Sequence, residues 1–317
     1  MMQAIETKPT AKPIGAYLVE AGLITLDQVD IALSEQKENT MRFGEIISHR
    51  GWVRQETIEY MLKKVILPER QLEEDIDLAE RPDINIASAW ENYWSKTYNL
   101  SNPILWDSNA EKAAALDLPR FKDLMSPQLP LIDMACGNGT QTRFLADHFP
   151  RLIGVDVAQS AVEMAQKHNS APNIEYRTLD ALKPEQATAL HVEIGDANIY
   201  MRTGFHHISP EHRDRFAQSL KILLGKTGIL YLIELGAGAT DYLNSLIELY
   251  GEPPRELALV IEHGIRPGDI TEEKIKDFFP DCEILDSGED FLYSDADLQL
   301  LEGGFKIPTF YAVIKHK

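Results

Sequence analysis

Between Leu131 and Thr142 the chain reads Leu-Ile-Asp-Met-Ala-Cys-Gly-Asn-Gly-Thr-Gln-Thr. A short apolar run ends in an acid and passes through a Gly-Asn-Gly turn into a helical stretch. Gly137 and Gly139 carry no Cβ, so the backbone there can turn tightly and approach a ligand closely. Such a turn alone says little; its weight comes from two further carboxylates. The next apolar run ends in Asp156, 19 residues past Gly137, where an acid can accept hydrogen bonds from two ribose hydroxyls. The run after that ends in Asp180, at the edge where an adenine amino group would lie. The pattern is that of a crevice for a nucleoside-like ligand. A dinucleotide site would need G-x-G-x-x-G spacing to seat a pyrophosphate at the helix N-terminus, whereas this turn continues Gly-Thr-Gln-Thr.

A second constellation follows the fourth apolar run, Tyr-Met-Arg-Thr-Gly-Phe-His-His-Ile from Tyr200 to Ile208. His206 or His207 can orient an acceptor or take its proton, because imidazole titrates near neutrality; alternatively both histidines merely shape the loop. Trp90, Tyr93, Trp94, Tyr98 and Trp106 precede the Gly-rich turn. They can cover a cleft and favour a cationic ligand through their ring faces, or pack a helix onto the sheet. Glu234 closes the fifth run, either as a polar group for an acceptor or as a cap or ion-pair partner. Cys136 reads as a small apolar filler. With two cysteines, no CxxC and no histidine cluster at zinc spacing, no metal site is expected and a reducing compartment fits.

These residues must be carried by an αβ alternation. Strands are predicted at 130–134, 152–155, 174–177, 197–201, 228–234, 283–285 and 310–314. The helices between the first five run over 140–148, 159–168, 184–190 and 211–224. The alternation predicts a doubly wound, seven-stranded, mostly parallel sheet. In such a sheet the carboxyl ends of the strands line the ligand crevice. The acidic residues Asp286, Glu289, Asp290, Asp295 and Asp297 read as a solvated loop. The stretch 251–280, with Arg255, His263 and Arg266, reads as an insertion, a place for substrate specificity or surface decoration.

In order and spacing these residues resemble the class I S-adenosylmethionine-dependent methyltransferases, over about residues 90–317. That family's first motif runs acid, then a Gly-rich turn. Here Asp133, Ala135, Cys136, Gly137 and Gly139 match it, with alanine in place of the first glycine. The resemblance implies a Rossmann-like fold and S-adenosylmethionine as cofactor. It assigns to cofactor binding Asp133, Ala135, Gly137, Asn138, Gly139, Thr142, Asp156, Val157, Asp180, Ala181, Met201 and Arg202. It makes His206 and His207 the catalytic candidates, and Trp94, Tyr98, Trp106 and Glu234 the candidates for lining the acceptor.

The N-terminal segment is an internal duplication. Ile14, Gly15, Leu18, Gly22, Ile24, Val29 and Leu33 recur as Phe43, Gly44, Ile47, Gly51, Val53, Ile58 and Leu62 at a constant offset of 29, the sign of a repeated structural unit. In each unit a short helix is ended by a glycine and a second helix follows. Thr25 and Gln28 form a capping box for the helix from Leu26. The segment resembles the N-terminal domain of type II secretion and pilus assembly ATPases, some of which bind cyclic di-GMP. Pro13 stands where that motif has its first arginine and Val65 where it has its second glutamine, while Arg42 is kept. The resemblance implies a docking or sensing module, with cyclic di-GMP or a protein as its partner.

The expected organisation is a disordered lead-in over 1–12, an all-α tandem-repeat module over 13–67, a linker over 68–88, and a methyltransferase domain over 89–317. With 31 basic against 50 acidic residues the net charge is −19, which opposes approach to a nucleic-acid backbone or an anionic membrane surface. No run reaches the roughly 18 apolar residues of a membrane span, and residues 1–12 lack the apolar core of a secretion signal. A cytoplasmic protein is therefore expected. The expected activity is transfer of a methyl group to oxygen or nitrogen of a small-molecule acceptor. The alternatives are a protein or peptide substrate recruited by the N-terminal module, and a non-catalytic regulator that binds the cofactor.

Overall fold

The computed structural model describes residues 14–38, 41, 43–61, 85–97, 109–250, 255–265, 268, 270–293 and 306–317. The chain divides into two units, Met1–Asp77 with Asn244–Pro254, and Leu78–Leu243 with Arg255–Lys317. The expected lead-in and most of the expected linker lie outside the described residues, as do Pro13, Arg42, Leu62, Val65, Tyr98, Trp106, Arg266, Asp295 and Asp297.

Among the described residues 14–61 of the first unit four helices follow one another: α1 (Ile14–Glu20), α2 (Leu26–Glu38), α3 (Phe43–His49) and α4 (Gln55–Met61). The capping box forms as the sequence prescribes. The Thr25 amide donates to Gln28 Oε1 at 2.8 Å and the Gln28 amide donates to Thr25 Oγ1 at 3.2 Å. Leu18, Ile24, Phe43, Ile46, Ile47, Val53 and Ile58 are buried in one apolar cluster to which both repeats contribute, so neither repeat buries its apolar face alone.

The second unit is a seven-stranded sheet in the order β3-β2-β1-β4-β5-β7-β6. The strands are β1 (Leu131–Met134), β2 (Leu152–Asp156), β3 (Ile174–Thr178), β4 (Asn198–Arg202), β5 (Ile229–Leu235), β6 (Cys282–Tyr293) and β7 (Lys306–His316). The first five pair in parallel and β7 pairs antiparallel with both β5 and β6, so the expected fold class holds. The helices are α5 (Ile86–Thr97), α6 (Ala114–Phe121), α7 (Thr140–Leu145), α8 (Gln159–His168), α9 (Pro184–Ile194), α10 (Arg213–Leu224), α11 (Ala239–Tyr250), α12 (Arg255–Glu262) and α13 (Glu272–Phe278).

Period-two alternation sorts the central strands. Ile132, Met134, Ile199, Met201, Leu230 and Leu232 enter one core with Phe216, Leu220 and Leu223 of α10. Leu131, Tyr200, Tyr231 and Ile233 enter the other with Leu118 and Phe121 of α6. Both faces of the central sheet are covered, as a parallel sheet requires.

One expectation fails here. The acidic stretch read as a solvated loop is strand: Asp286, Glu289 and Asp290 lie in β6, paired along β7. Asp290 takes an ion pair from Arg120 at 2.7 Å, and the Arg120 guanidinium lies 4.1 Å from the Tyr311 ring centroid. A charge count along the chain misses a strand of this kind, because charged side chains are common on edge strands. The expected insertion contributes α12, whose Val260, together with Ile265 just beyond it, packs against Ala89, Tyr93 and Trp94 of α5.

Candidate active site

β1 and β4 are neighbours, with successive strands leading away from them in opposite directions. This is the topological switch point at which doubly wound sheets open a crevice. A cleft holding about 1070 Å³ of empty space, part of it open to solvent, lies at that edge.

On the β1–β2 side the Gly-rich turn forms the wall. Asp133 is buried and accepts a hydrogen bond from the Thr142 hydroxyl, which ties the end of β1 to α7. Burial pushes its carboxyl up to about 7, against the lowering effect of that hydrogen bond. Gly137 has φ +54°, and a Cβ built on it would lie 2.8 Å from Trp94 Cζ2, so no other residue fits beneath that ring. Asn138 Oδ1 accepts from the Thr140 amide at 3.0 Å and its hydroxyl at 2.9 Å, closing the turn into α7.

Asp156 at the end of β2 accepts from the Gly137 amide at 2.9 Å and the Ala158 amide at 2.9 Å. It thereby pins the turn and the start of α8 to one carboxylate. Burial pushes its pKa up to about 6, opposed by these backbone donors. Glu91 of α5 accepts from the amide and hydroxyl of Ser160, which fixes α5 over the start of α8.

Ala135, where the resembling family has glycine, adopts φ +59°, and Thr203 at the end of β4 also adopts φ +59°. A left-handed conformation costs a residue with a Cβ roughly 1 kcal/mol or more, so the cleft holds two strained positions. Gly204, next to Thr203 in the chain, lies against Ala135: a Cβ built on it would meet the Ala135 Cβ at 3.3 Å. The small residue at 204 makes room for the alanine at 135.

Arg202 lines the opposite wall. Its Nη1 donates to Asp117 at 2.7 Å, and Asp117 also accepts from Tyr200 and Tyr231 at 2.8 Å each. The Arg202 Nε is buried and meets no acceptor among the described residues.

The loop after β4 separates its two histidines. His207 lines the cleft, with its ring 5.0 Å from that of Trp90 in an edge-on contact. His206 is turned inward, with Nδ1 2.7 Å from Glu234 Oε2. Glu234, at 0% exposure, also accepts from the amides of Gly204 at 3.0 Å, Phe205 at 2.8 Å and His206 at 3.1 Å.

Of the sequence candidates, the cleft brings together Asp133, Ala135, Gly137, Asn138, Asp156, Val157, Asp180, Ala181, Arg202, His207 and Trp94. It leaves out Gly139, Thr142, Met201, His206 and Glu234. Gly139 and Thr142 act behind the wall, the first at the start of α7 and the second on Asp133. Met201 alternates with the cleft-lining Tyr200 and Arg202, so its side chain enters the apolar core; period-two counting from Arg202 carries that signal. Glu234 as an acceptor-lining residue is corrected, because its carboxylate is sealed beneath the loop. Trp90, one of the rings expected over a cleft, lines it, and so do Tyr200, Thr203, Gly204 and Gln141, which were not singled out as site residues. Among the described residues no group of three or more His, Cys, Asp or Glu is placed to hold a metal. No described helix is long and apolar enough to cross a membrane. Cys136 is a buried free thiol whose pKa burial raises well above the usual range.

Comparison with known proteins agrees with this architecture. A family model described as "Methyltransferase domain" matches residues 131–228. The crystal structure of a SAM-dependent methyltransferase from Anabaena variabilis ATCC 29413 is 58% identical, covering 77% of this chain and 100% of that one with a TM-score of 0.73. A structure reported under "Conversion of a Disulfide Bond into a Thioacetal Group during Echinomycin Biosynthesis" is 14% identical over 72% of this chain and 92% of that one. Its TM-score is 0.53, and it shares the fold alone. An uncharacterized protein of Picosynechococcus sp. is 36% identical over 56 residues, 18% of this chain, and the chain spans 30% of that relative's length. Sheet order, crevice and the likeness over the whole Anabaena protein lead to one conclusion: the chain belongs to the S-adenosylmethionine-dependent methyltransferases.

Proposed function

We propose that the protein methylates oxygen or nitrogen of a small-molecule acceptor bound in the cleft between the Gly137 turn and the loop 203–208. The observation that carries this reading is the placement of His207. It is the histidine of the pair that lines the cleft, on the wall opposite the nucleoside-type residues, and its ring packs against Trp90.

Two features support a fit to S-adenosylmethionine. The cradle at Gly137 would be filled by a Cβ, and Arg202 Nε is a buried donor in search of an oxygen. Asp156 would take the ribose hydroxyls and Asp180 with Ala181 the adenine, while Asp133, Ala135, Asn138 and the Gly137 amide would border the methionine portion. When bound, the cofactor supplies an electrophilic methyl group on a sulfonium. The chain's task is to align the acceptor and exclude water. As the acceptor oxygen or nitrogen gains the methyl, its proton passes to the His207 imidazole. The imidazolium so formed lies beside Trp90, whose ring meets that of His207 in an edge-on contact at 5.0 Å.

Calorimetric titration with S-adenosylmethionine and S-adenosylhomocysteine, followed by product-mass screening of phenols, amines and carboxylates, tests the proposal. Micromolar binding and a methylated small product support it. Binding with methylation confined to peptides would replace the acceptor class, and absence of binding would defeat the reading.

For the tandem-repeat unit we propose a docking role, supported by the shared core of its two repeats. Titration of the full chain with cyclic di-GMP tests the sensing alternative; a saturable response would overturn pure docking.

A further inference from the structure

Glu234, which the sequence offers either to the acceptor or as a cap or ion-pair partner, is the most completely engaged carboxylate in the site. A carboxylate has about four lone-pair positions. Glu234 fills all four: Oε1 accepts from the Gly204 and Phe205 amides, and Oε2 from the His206 amide and the His206 ring. Three successive backbone N–H groups converge on it, so the loop 204–206 is wrapped around a single buried side chain of β5. The His206 ring then lies 3.8 Å from that of His207, centroid to centroid.

Other groups close the same chamber. Arg213 of α10 donates from Nε to the Ile208 carbonyl at 2.9 Å and its charge favours the ionised Glu234, whereas burial pushes that carboxyl up to about 7. On the far side of β5, Glu234 pairs along the backbone with Phe310 of β7, which brings no charge.

Building on the reading of His207 as the group that serves the acceptor, we propose that Glu234 and His206 are positioning residues. Glu234 fixes the loop and the Nδ1–H form of His206, and the His206 ring fixes His207 at the cleft. A hydrogen bond to one imidazole nitrogen sets which tautomer is present. Partners behind a working group typically change its performance by about 10–100-fold when removed.

The test needs no acceptor. Full-length protein with ¹⁵N-labelled histidine rings, saturated with S-adenosylhomocysteine, is followed by NMR from about pH 5.5 to 8.5, the range in which imidazole titrates. Signals are assigned with His206→Asn and His207→Gln. The wild type is expected to show His206 with its Nδ1 protonated throughout and His207 titrating separately. Glu234→Gln turns one acceptor oxygen into a donor facing the His206 amide. It is expected to abolish the fixed tautomer of His206 and displace the His207 signals in a chain that still saturates with S-adenosylhomocysteine.

Should Glu234→Gln not fold, the pair His206→Asn and His206→Ala decides. Asparagine keeps an N–H donor for Glu234 but lacks the ring that meets His207, so both variants are expected to displace the His207 signals, alanine the more. The proposal is overturned if His206 titrates freely in the wild type, or if His207 is unmoved in both Glu234→Gln and His206→Ala. Failure of the wild type to bind S-adenosylhomocysteine would instead defeat the cofactor reading on which it rests.

Discussion

Asp156 and Glu234 stand at the carboxyl ends of two parallel strands of one sheet, β2 and β5. Each is an acid, each is buried and each gathers backbone amides. Asp156 accepts from the Gly137 amide on one oxygen and the Ala158 amide on the other, the Val157 amide also favours its charged form, and with fewer donors than Glu234 it borders the cleft. Glu234 accepts two donors on each oxygen and has 0% exposure. A strand-end acid is therefore not a ligand contact by virtue of its position. Acceptor capacity left over after the protein's own donors are counted is what separates an acid that can bind from one that only builds.

The largest expected effect breaks the comparison on the Glu234 side. Glu234→Ala leaves three interior N–H groups and a histidine without an acceptor, at about 1–3 kcal/mol for each unsatisfied group. Urea denaturation should show a loss of at least about 3 kcal/mol, clearly more than for Asp156→Ala, whose amides border an open cleft. Equal losses would mean that the chamber at Glu234 is as wet as the cleft.

Next in size is the effect of Asp156→Ala on ligand affinity. Loss of a charged acceptor for hydroxyls is worth roughly 1.5–3 kcal/mol, so calorimetry should find S-adenosylhomocysteine bound about 10- to 100-fold more weakly. An unchanged affinity would remove Asp156 from the ribose.

The pH dependence of stability sharpens the comparison further. Asp133, Asp156 and Glu234 are held at about 7, 6 and 7 by burial. All lie above the ordinary range near 4, so the folded state binds their protons more tightly than the unfolded state does. Their contribution to stability is full below about pH 4 and is lost as pH rises through about 7. Asp133→Asn should flatten the fall in melting temperature between about pH 4 and 7, and an undiminished slope would exclude Asp133 as its source. The smallest effect expected is for Ala135→Gly. Relief of a left-handed φ of +59° should raise stability by up to about 1 kcal/mol, in part offset by the greater freedom of glycine in the unfolded chain.

The sheet was readable because its strands are apolar runs bounded by turn residues. Leu131–Met134 and Leu152–Asp156 lie within a residue of the sequence expectation. β6 was not, because Glu283, Asp286, Glu289 and Asp290 on an edge strand lower its apolar signal. The cofactor wall was readable for a similar reason: spacing along β1, β2 and β3 is local, and Asp133, Gly137, Asp156 and Asp180 meet wherever three such strands pair in parallel. The acceptor side was readable only as a list of residue types. Of two adjacent histidines whose rings lie 3.8 Å apart, one meets Glu234 and the other lines the cleft, and no pattern in one dimension says which.

What the sequence determined by itself is the doubly wound sheet, its switch-point crevice and the capped helices of the duplicated N-terminal segment. All of these follow from apolar periodicity and from turn and cap chemistry acting over a few residues. What only the tertiary structure decided is the division of labour among the polar groups: Asp156 with fewer donors at the cleft, Glu234 saturated beneath a loop, His206 on Glu234 and His207 at the cleft. The reason is that a polar group's role depends on every donor and acceptor around it in three dimensions. Those partners come from segments about 30 residues apart in the chain, as Gly204 and Glu234 are, and folding alone brings them within hydrogen-bond distance.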